Sequence, residues 1–383
     1  MSIVPTPIPL SLYIHIPWCI KKCPYCDFNS HEAKSDVPKE RYLNALIKDL
    51  EDELPHIWGR SIESIFIGGG TPSLFSAEAI DRLLRSLRER LNIRPNIEIT
   101  MEANPGTFEQ ERFNGFREAG INRLSIGIQS YNNQHLKALG RVHDSEEALK
   151  AAEIVSSAGF ENFNLDLMFG LPNQTIEEAL DDLKQAINAK PNHISWYQLT
   201  IEENTLFHYS PPSVPNDDLI WNMQQQGQKL LKEAGYEQYE VSAYAQKNQK
   251  SQHNMNYWEF GDYLGIGAGA HGKITMPDGS ITRHTKFRHP EEYMKKALDS
   301  QARSTEKPLA KEDIIFEFML NIARLKQGFT AELFEQRTWL AFTEVEQKID
   351  ALIAEGLILK ADDYYQPSEK GYLFVNDIVN RFL

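Results

Sequence analysis

The chain has 383 residues, 41% of them hydrophobic, with 40 Lys and Arg against 54 Asp and Glu and a formal net charge of −14. That length suits one large domain and a smaller one, and the excess of acid argues against nucleic acid or an anionic lipid surface as partner. The opening Met1 to Leu10 carries three prolines and no basic cluster. No signal or transit helix is expected there, no apolar run approaches the roughly 18 residues of a membrane span, and a soluble cytoplasmic protein is expected.

In chain order, the first predicted strand covers residues 12–16 and leads into Cys19-Ile-Lys-Lys-Cys23-Pro-Tyr-Cys26, which holds all three cysteines of the protein. A structural zinc centre closes its shell with four Cys or His ligands, whereas an iron–sulfur cube held at three corners keeps one iron open for chemistry. A zinc site completed by His15 or His31, or three reduced thiols, are the alternatives. A disulfide framework is disfavoured by the odd count and the size of the chain.

Five more apolar runs follow at intervals of about 30 residues, at 62–67, 97–101, 123–128, 163–168 and 193–199. Segments of helical period lie between them, such as Tyr42, Leu43, Leu46, Ile47 and Leu50, or Ile176, Leu180, Leu183 and Ile187. Alternation of this kind implies a parallel sheet, and six units predict a partial (β/α)6 barrel of the TIM type, with its chemistry at the carboxyl ends of the strands. At those ends stand Gly68-Gly-Gly-Thr-Pro72, Glu102-Ala-Asn-Pro105, Gln129 and Asp166. Glycines let main chain approach a ligand, and a carboxylate or amide ending an apolar strand requires a partner.

Beyond residue 204 the period weakens. Pro211, Pro212 and Pro215 mark a loop before a helix at about 219–234, and residues 262–272 are rich in glycine. From 309 onward, three helical patterns, a ribbon turning at Asp362 and Asp363, and a terminal helix give a winged-helix-like α+β order. Residues 310–383 hold eight basic and thirteen acidic side chains, so a lid or docking role is preferred to DNA recognition. The predicted division is therefore a barrel over 1–205, an extension over 206–308 and a carboxyl-terminal domain over 309–383, an α/β protein.

Taken together, Tyr13-Ile-His-Ile-Pro17, the C-x3-C-x2-C loop, Gly68-Gly-Gly-Thr-Pro-Ser73, Glu102-Ala-Asn-Pro105, Gly127-Ile-Gln-Ser130, Leu139-Gly-Arg-Val-His143 and the ten residues from Asp166 to Thr175 resemble the radical S-adenosylmethionine (SAM) superfamily. Within it they resemble the oxygen-independent coproporphyrinogen III oxidase family over roughly the first 300 residues. The resemblance implies a [4Fe-4S] cluster on Cys19, Cys23 and Cys26, with SAM on the open iron. Tyr13, Tyr25, Gly69, Gly70, Thr71 and Glu102 would contact that SAM, and Gln129, Arg141 and Asp166 match positions that hold a second SAM in the oxidase.

Two features depart from the oxidase. Its pattern continues as CxxxCxxCxC, whereas this chain has Phe28 at the last position. The stretch Gln252-His-Asn-Met-Asn-Tyr-Trp258 contains H-N-x-x-Y-W, the mark of a haem-chaperone branch. That branch implies binding of haem and its transfer to acceptor haemoproteins such as respiratory cytochromes, with any membrane-protein contact transient, homodimerisation left open and enzymatic turnover doubted. His253 is the expected axial imidazole, with Tyr257 and Trp258 as flat faces for the porphyrin. His271, in Gly-Ala-His-Gly, competes with it. The alternative function is an active oxidase that decarboxylates coproporphyrinogen III.

Overall fold

The computed structural model describes residues 8–33, 37–57, 59–105 and 110–383; the opening segment before Ile8 lies outside them. Six strands, β1 (Leu10–Ile16), β2 (Ser61–Gly69), β3 (Asn92–Ala103), β4 (Arg123–Gln129), β5 (Phe163–Phe169) and β6 (His193–Gln198), lie side by side in chain order and pair in parallel. All six overlap the predicted runs. Near-continuous burial along β1, β4 and β5 is what a sheet covered on both faces demands of its strands.

The intervening helices cover the outer face. Lys39–Ile57 buries Tyr42, Leu43, Leu46 and Leu50 on one stripe, which accounts for the periodicity. Helices Ser145–Ser157 and Ile176–Asn188 open with capping boxes, Asp144 with Glu147 and Thr175 with Glu178, so their boundaries are written in the sequence.

The sheet does not close. It continues past β6 through short antiparallel strands β7 (Glu237–Gln238) and β8 (Ala243–Ala245). On the other side β9 (Asp262–Ile266) pairs in parallel with β1, followed by antiparallel β10 (His271–Thr275), β11 (Ile281–Lys286) and β12 (Arg303–Pro308). The resulting order of twelve strands is β12-β11-β10-β9-β1-β2-β3-β4-β5-β6-β8-β7. The glycine-rich stretch is thus strand β9 and the turn after it. Gly265 faces Tyr13 in the register, and a Cβ there would lie 2.0 Å from the His271 carbonyl oxygen, so only glycine permits this approach.

The carboxyl-terminal segment builds helices Lys311–Ile322, Ala331–Thr338 and Thr343–Ala354 around a ribbon of β13 (Phe329–Thr330), β14 (Ile358–Ala361) and β15 (Tyr364–Pro367). Two short helices, Glu369–Leu373 and Val375–Asn380, stand where one terminal helix was expected. Its aromatic core of Phe318, Phe329, Phe334 and Phe342 is continuous with Phe260 and Ile281 of the preceding segment. The two segments share one apolar core. Among the described residues, no helix is long and apolar enough to cross a membrane.

A buried ion network fixes the end of β11 and the start of β12 against the first helix. Lys286 Nζ donates to Asp49 Oδ1 at 2.6 Å and to Glu53 Oε1 at 2.5 Å, and Arg303 closes on the same Glu53. Breaking a buried ion pair from one side leaves the other charge uncompensated. Lys286→Met is accordingly expected to lower stability by about 3–5 kcal/mol, read as a fall in the midpoint of chemical denaturation.

Candidate cofactor and metal site

The cysteine loop is pinned at both ends by a two-residue parallel ribbon, Trp18–Cys19 against His31–Glu32, with His31 N bonded to Pro17 O and Ala33 N to Cys19 O. Within it Cys26 N bonds to Cys23 O at 3.2 Å, and all three thiols line one cavity of about 390 Å³. The floor of the loop is held by β1. Tyr13 Oη donates to His15 Nδ1 at 2.9 Å, and the opposite ring nitrogen, Nε2, donates to Asn29 O at 2.9 Å. Burial holds the His15 imidazole neutral by lowering its pKa to about 4. With both nitrogens committed, His15 has no lone pair to give a metal.

Among the described residues, no three His, Cys, Asp or Glu side chains converge tightly enough for a single metal ion. A tetrahedral zinc about 2.3 Å from each sulfur needs such convergence; a four-iron cube has separate corners and needs thiolates that surround it. The surroundings fit a thiolate-bound group. Arg141 Nη1 lies 3.7 Å from Cys23 Sγ, Ser30 Oγ 3.7 Å from Cys26 Sγ, and the Thr71 hydroxyl bonds to Cys19. Burial raises the Cys19 thiol to about 11 and raises Cys26 as well, so metal binding at neutral pH would release protons.

The strand ends supply the rest of the cavity. Gly70 N and Thr71 N donate to Ile16 O and Trp18 O, both at 2.7 Å; a Cβ on Gly70 would lie 2.4 Å from the Trp18 carbonyl, and Gly69 has φ +113° with its Cα against the His15 ring. Side chains larger than hydrogen are sterically excluded here. Glu102 accepts from Gly69 N at 2.9 Å, and burial, opposed by that bond and aided by Asp166, raises its carboxyl to about 8. Among the described residues no cation pairs with it, and a recessed acid of this kind is matched to an ammonium or hydroxyl donor on a ligand.

Arg141 spans the cavity, its Nη2 bonded to Asn104 Oδ1 at 2.6 Å and to Gly127 O at 2.7 Å, and Asn104 reaches Thr71. Gln129 sits at φ +66°, a costly conformation for a side chain of its size, and accepts from Tyr197 Oη at 2.9 Å. Asp166 accepts from Ser125 and Asn164, and burial raises its carboxyl. The structure thus brings Cys19, Cys23, Tyr25, Cys26, Gly69, Gly70, Thr71, Glu102, Gln129, Arg141 and Asp166 to one cavity. Tyr13 lines a neighbouring groove. Asn104 and Tyr197 were not singled out from sequence, although both stand at strand ends, the same signal that marked Glu102 and Gln129.

The H-N-x-x-Y-W stretch is helix Gln252–Trp258, set under the barrel. Glu98 accepts from its first two backbone N–H groups at 3.2 Å. His253 is 2% exposed, with Nδ1 2.9 Å from Ser64 Oγ and its ring 5.1 Å from Phe66, and burial lowers its pKa to about 3. Tyr257 packs on Tyr263 at 4.2 Å, and Trp258 lies under Arg324 at 4.5 Å. Asn254 alone of the motif lines the cysteine cavity. His253 and Tyr257, at i and i+4, stay on one side of the helix with ring centroids 5.2 Å apart, whereas Trp258 at i+5 turns to Arg324, so the three residues expected to share one porphyrin do not present a common face to it.

Residues 13–186 match the radical SAM superfamily and residues 309–374 the HemN C-terminal domain. The solved structure of coproporphyrinogen III oxidase (HemN) from Escherichia coli, a radical SAM enzyme, superposes with a TM-score of 0.83 at 24% identity, covering 98% of this chain and 90% of that one. This is a radical SAM protein with a HemN-like fold. Over 98% of both sequences it is 52% identical to Heme chaperone HemW of Haemophilus influenzae and 51% identical to that of Escherichia coli. The chain belongs to the HemW heme chaperone family.

The raised Glu102 carboxyl has a measurable consequence. Its folded pKa of about 8 exceeds the ordinary carboxylate value, so the native state keeps a proton that the unfolded chain gives up, and stability falls as pH climbs from about 4.5 to 8. Glu102→Gln is expected to flatten that slope and raise the ligand-free melting temperature at pH 8, by differential scanning fluorimetry.

Proposed function

We propose that the protein is a cytoplasmic haem carrier that binds haem and passes it to acceptor haemoproteins, with a [4Fe-4S] cluster on Cys19, Cys23 and Cys26 and SAM held beside it. The observation that carries this reading is full-length similarity to heme chaperones at 51–52% identity. Phe28 supports it: where the oxidase pattern has a fourth cysteine, this chain has a phenylalanine 59% exposed at the cavity mouth, an apolar plate suited to a flat macrocycle.

In this reading the bound cluster would supply an electron to SAM. Gly69 and Glu102 would hold the ammonium end of SAM, Thr71 and Arg141 would steady the loop thiolates, and Tyr25 covers the cavity beside Phe207 at 6.4 Å. Gln129, Arg141 and Asp166 are retained in the cavity, and this favours the second reading, an oxidase that decarboxylates coproporphyrinogen III.

Protein reconstituted anaerobically with iron and sulfide separates the two. Charged with haemin, it is expected to convert an apo-haemoprotein to the holo form, and with dithionite, SAM and coproporphyrinogen III to release no carbon dioxide. Turnover of the porphyrinogen without haem transfer would replace the carrier reading by the oxidase. Cys23→Ser is expected to lower bound iron from about four atoms per chain to below one, by metal analysis.

A further inference from the structure

Beside the cysteine cavity lies a larger groove of about 890 Å³, within the range of small-molecule sites, that shares Phe28, Gly69 and Glu102 with it. One wall is aromatic: Tyr13, Tyr257 and Tyr263 with Phe28. The other is the outer run of the sheet, where His271 of β10 pairs with Thr285 of β11 and Thr285 with Thr305 of β12. Between the walls the register sets Gly265 next to Tyr13, and a Cβ there would lie 2.0 Å from the His271 carbonyl oxygen, so glycine lets the His271 backbone close on β9 at the groove.

His271 differs from the other imidazoles near the barrel. His15 and His193 have both nitrogens bonded, and His253 is buried with one nitrogen on Ser64. His271 is exposed on the groove, and among the described residues neither of its ring nitrogens has a hydrogen-bond partner. Partial burial and the Arg288 cation lower its pKa, so the lone pair a metal needs is free at neutral pH. Arg288 is exposed in the same groove and makes no ion pair among the described residues, while its backbone carbonyl accepts from Asn29 of the cysteine loop at 2.9 Å.

Resting on the reading of this chain as a haem carrier, we propose that the haem lies in this groove, with His271 as its axial ligand and Arg288 pairing a propionate. A neutral imidazole, aromatic plates and an unpaired guanidinium are the three groups that an iron porphyrin with carboxylate edges requires. His253, closed in behind Phe66, holds the helix under the barrel. The placement puts the cargo against the cysteine loop, which Asn29 ties to both Ala268 and Arg288.

The test is haemin titration of the full-length protein, followed by Soret absorption and by electron paramagnetic resonance of the ferric spin state. His271→Ala is expected to weaken binding at least about tenfold, the scale on which metal sites lose affinity, and to move both signals, with added imidazole restoring the wild-type spectra. Arg288→Glu is expected to weaken binding about two- to fivefold with the Soret position unchanged. The assignment is overturned if His271→Ala keeps wild-type affinity and spectra, or if His253→Ala loses the Soret signal while His271→Ala retains it. A wild-type protein that takes up no haem overturns the carrier reading itself.

Discussion

The bond from His15 Nε2 to the Asn29 carbonyl, backed by Tyr13 on the other ring nitrogen, is the contact on which the site depends. It anchors an eleven-residue excursion, closed by a two-residue ribbon, to an interior strand of the sheet. β1 has partners on both sides, β2 and β9, so its end is held from two directions. A loop that must present three thiols around one group needs such a point.

From that anchor the constraint passes in two directions. Toward the barrel interior, the triple glycine turn packs on His15 and Trp18 and passes a backbone N–H to Glu102, while Arg141, Asn104 and Thr71 join β4, β3 and β2 behind the thiols. Toward the sheet edge, Asn29 donates to Ala268 and Arg288, which links the loop to the strands that the six-unit barrel does not contain. The same short segment therefore borders two cavities, and a change in what fills one would be felt at the wall of the other.

Charge is handled differently in the two halves. In the outer run, Lys286 and Lys273 are fully buried and satisfied by Asp49, Glu53 and Asp262. In the barrel cavity, Glu102 and Asp166 form no ion pair among the described residues, and burial raises their carboxyls. Paired charges fix the frame; unpaired ones are left where a ligand would be bound.

The first six strands and the helix stripes were legible in the sequence, because strand and helix periods are local properties. So were the cysteine loop and the strand-end residues, since a loop after a strand in a parallel barrel has one place to go. The parallel pairing of β9 with β1, which extends the sheet by four strands, was not legible: it joins residues some 250 positions apart, and glycine at 265 signals close approach without naming the partner. The meaning of H-N-x-x-Y-W likewise depended on tertiary structure. Its residue types suggest a porphyrin site, yet whether an imidazole faces solvent or the underside of a sheet is decided by which face of a seven-residue helix the rest of the chain buries. His253 is inside for that reason, and His271 is outside because it opens strand β10 at its exposed end; no local pattern distinguishes them.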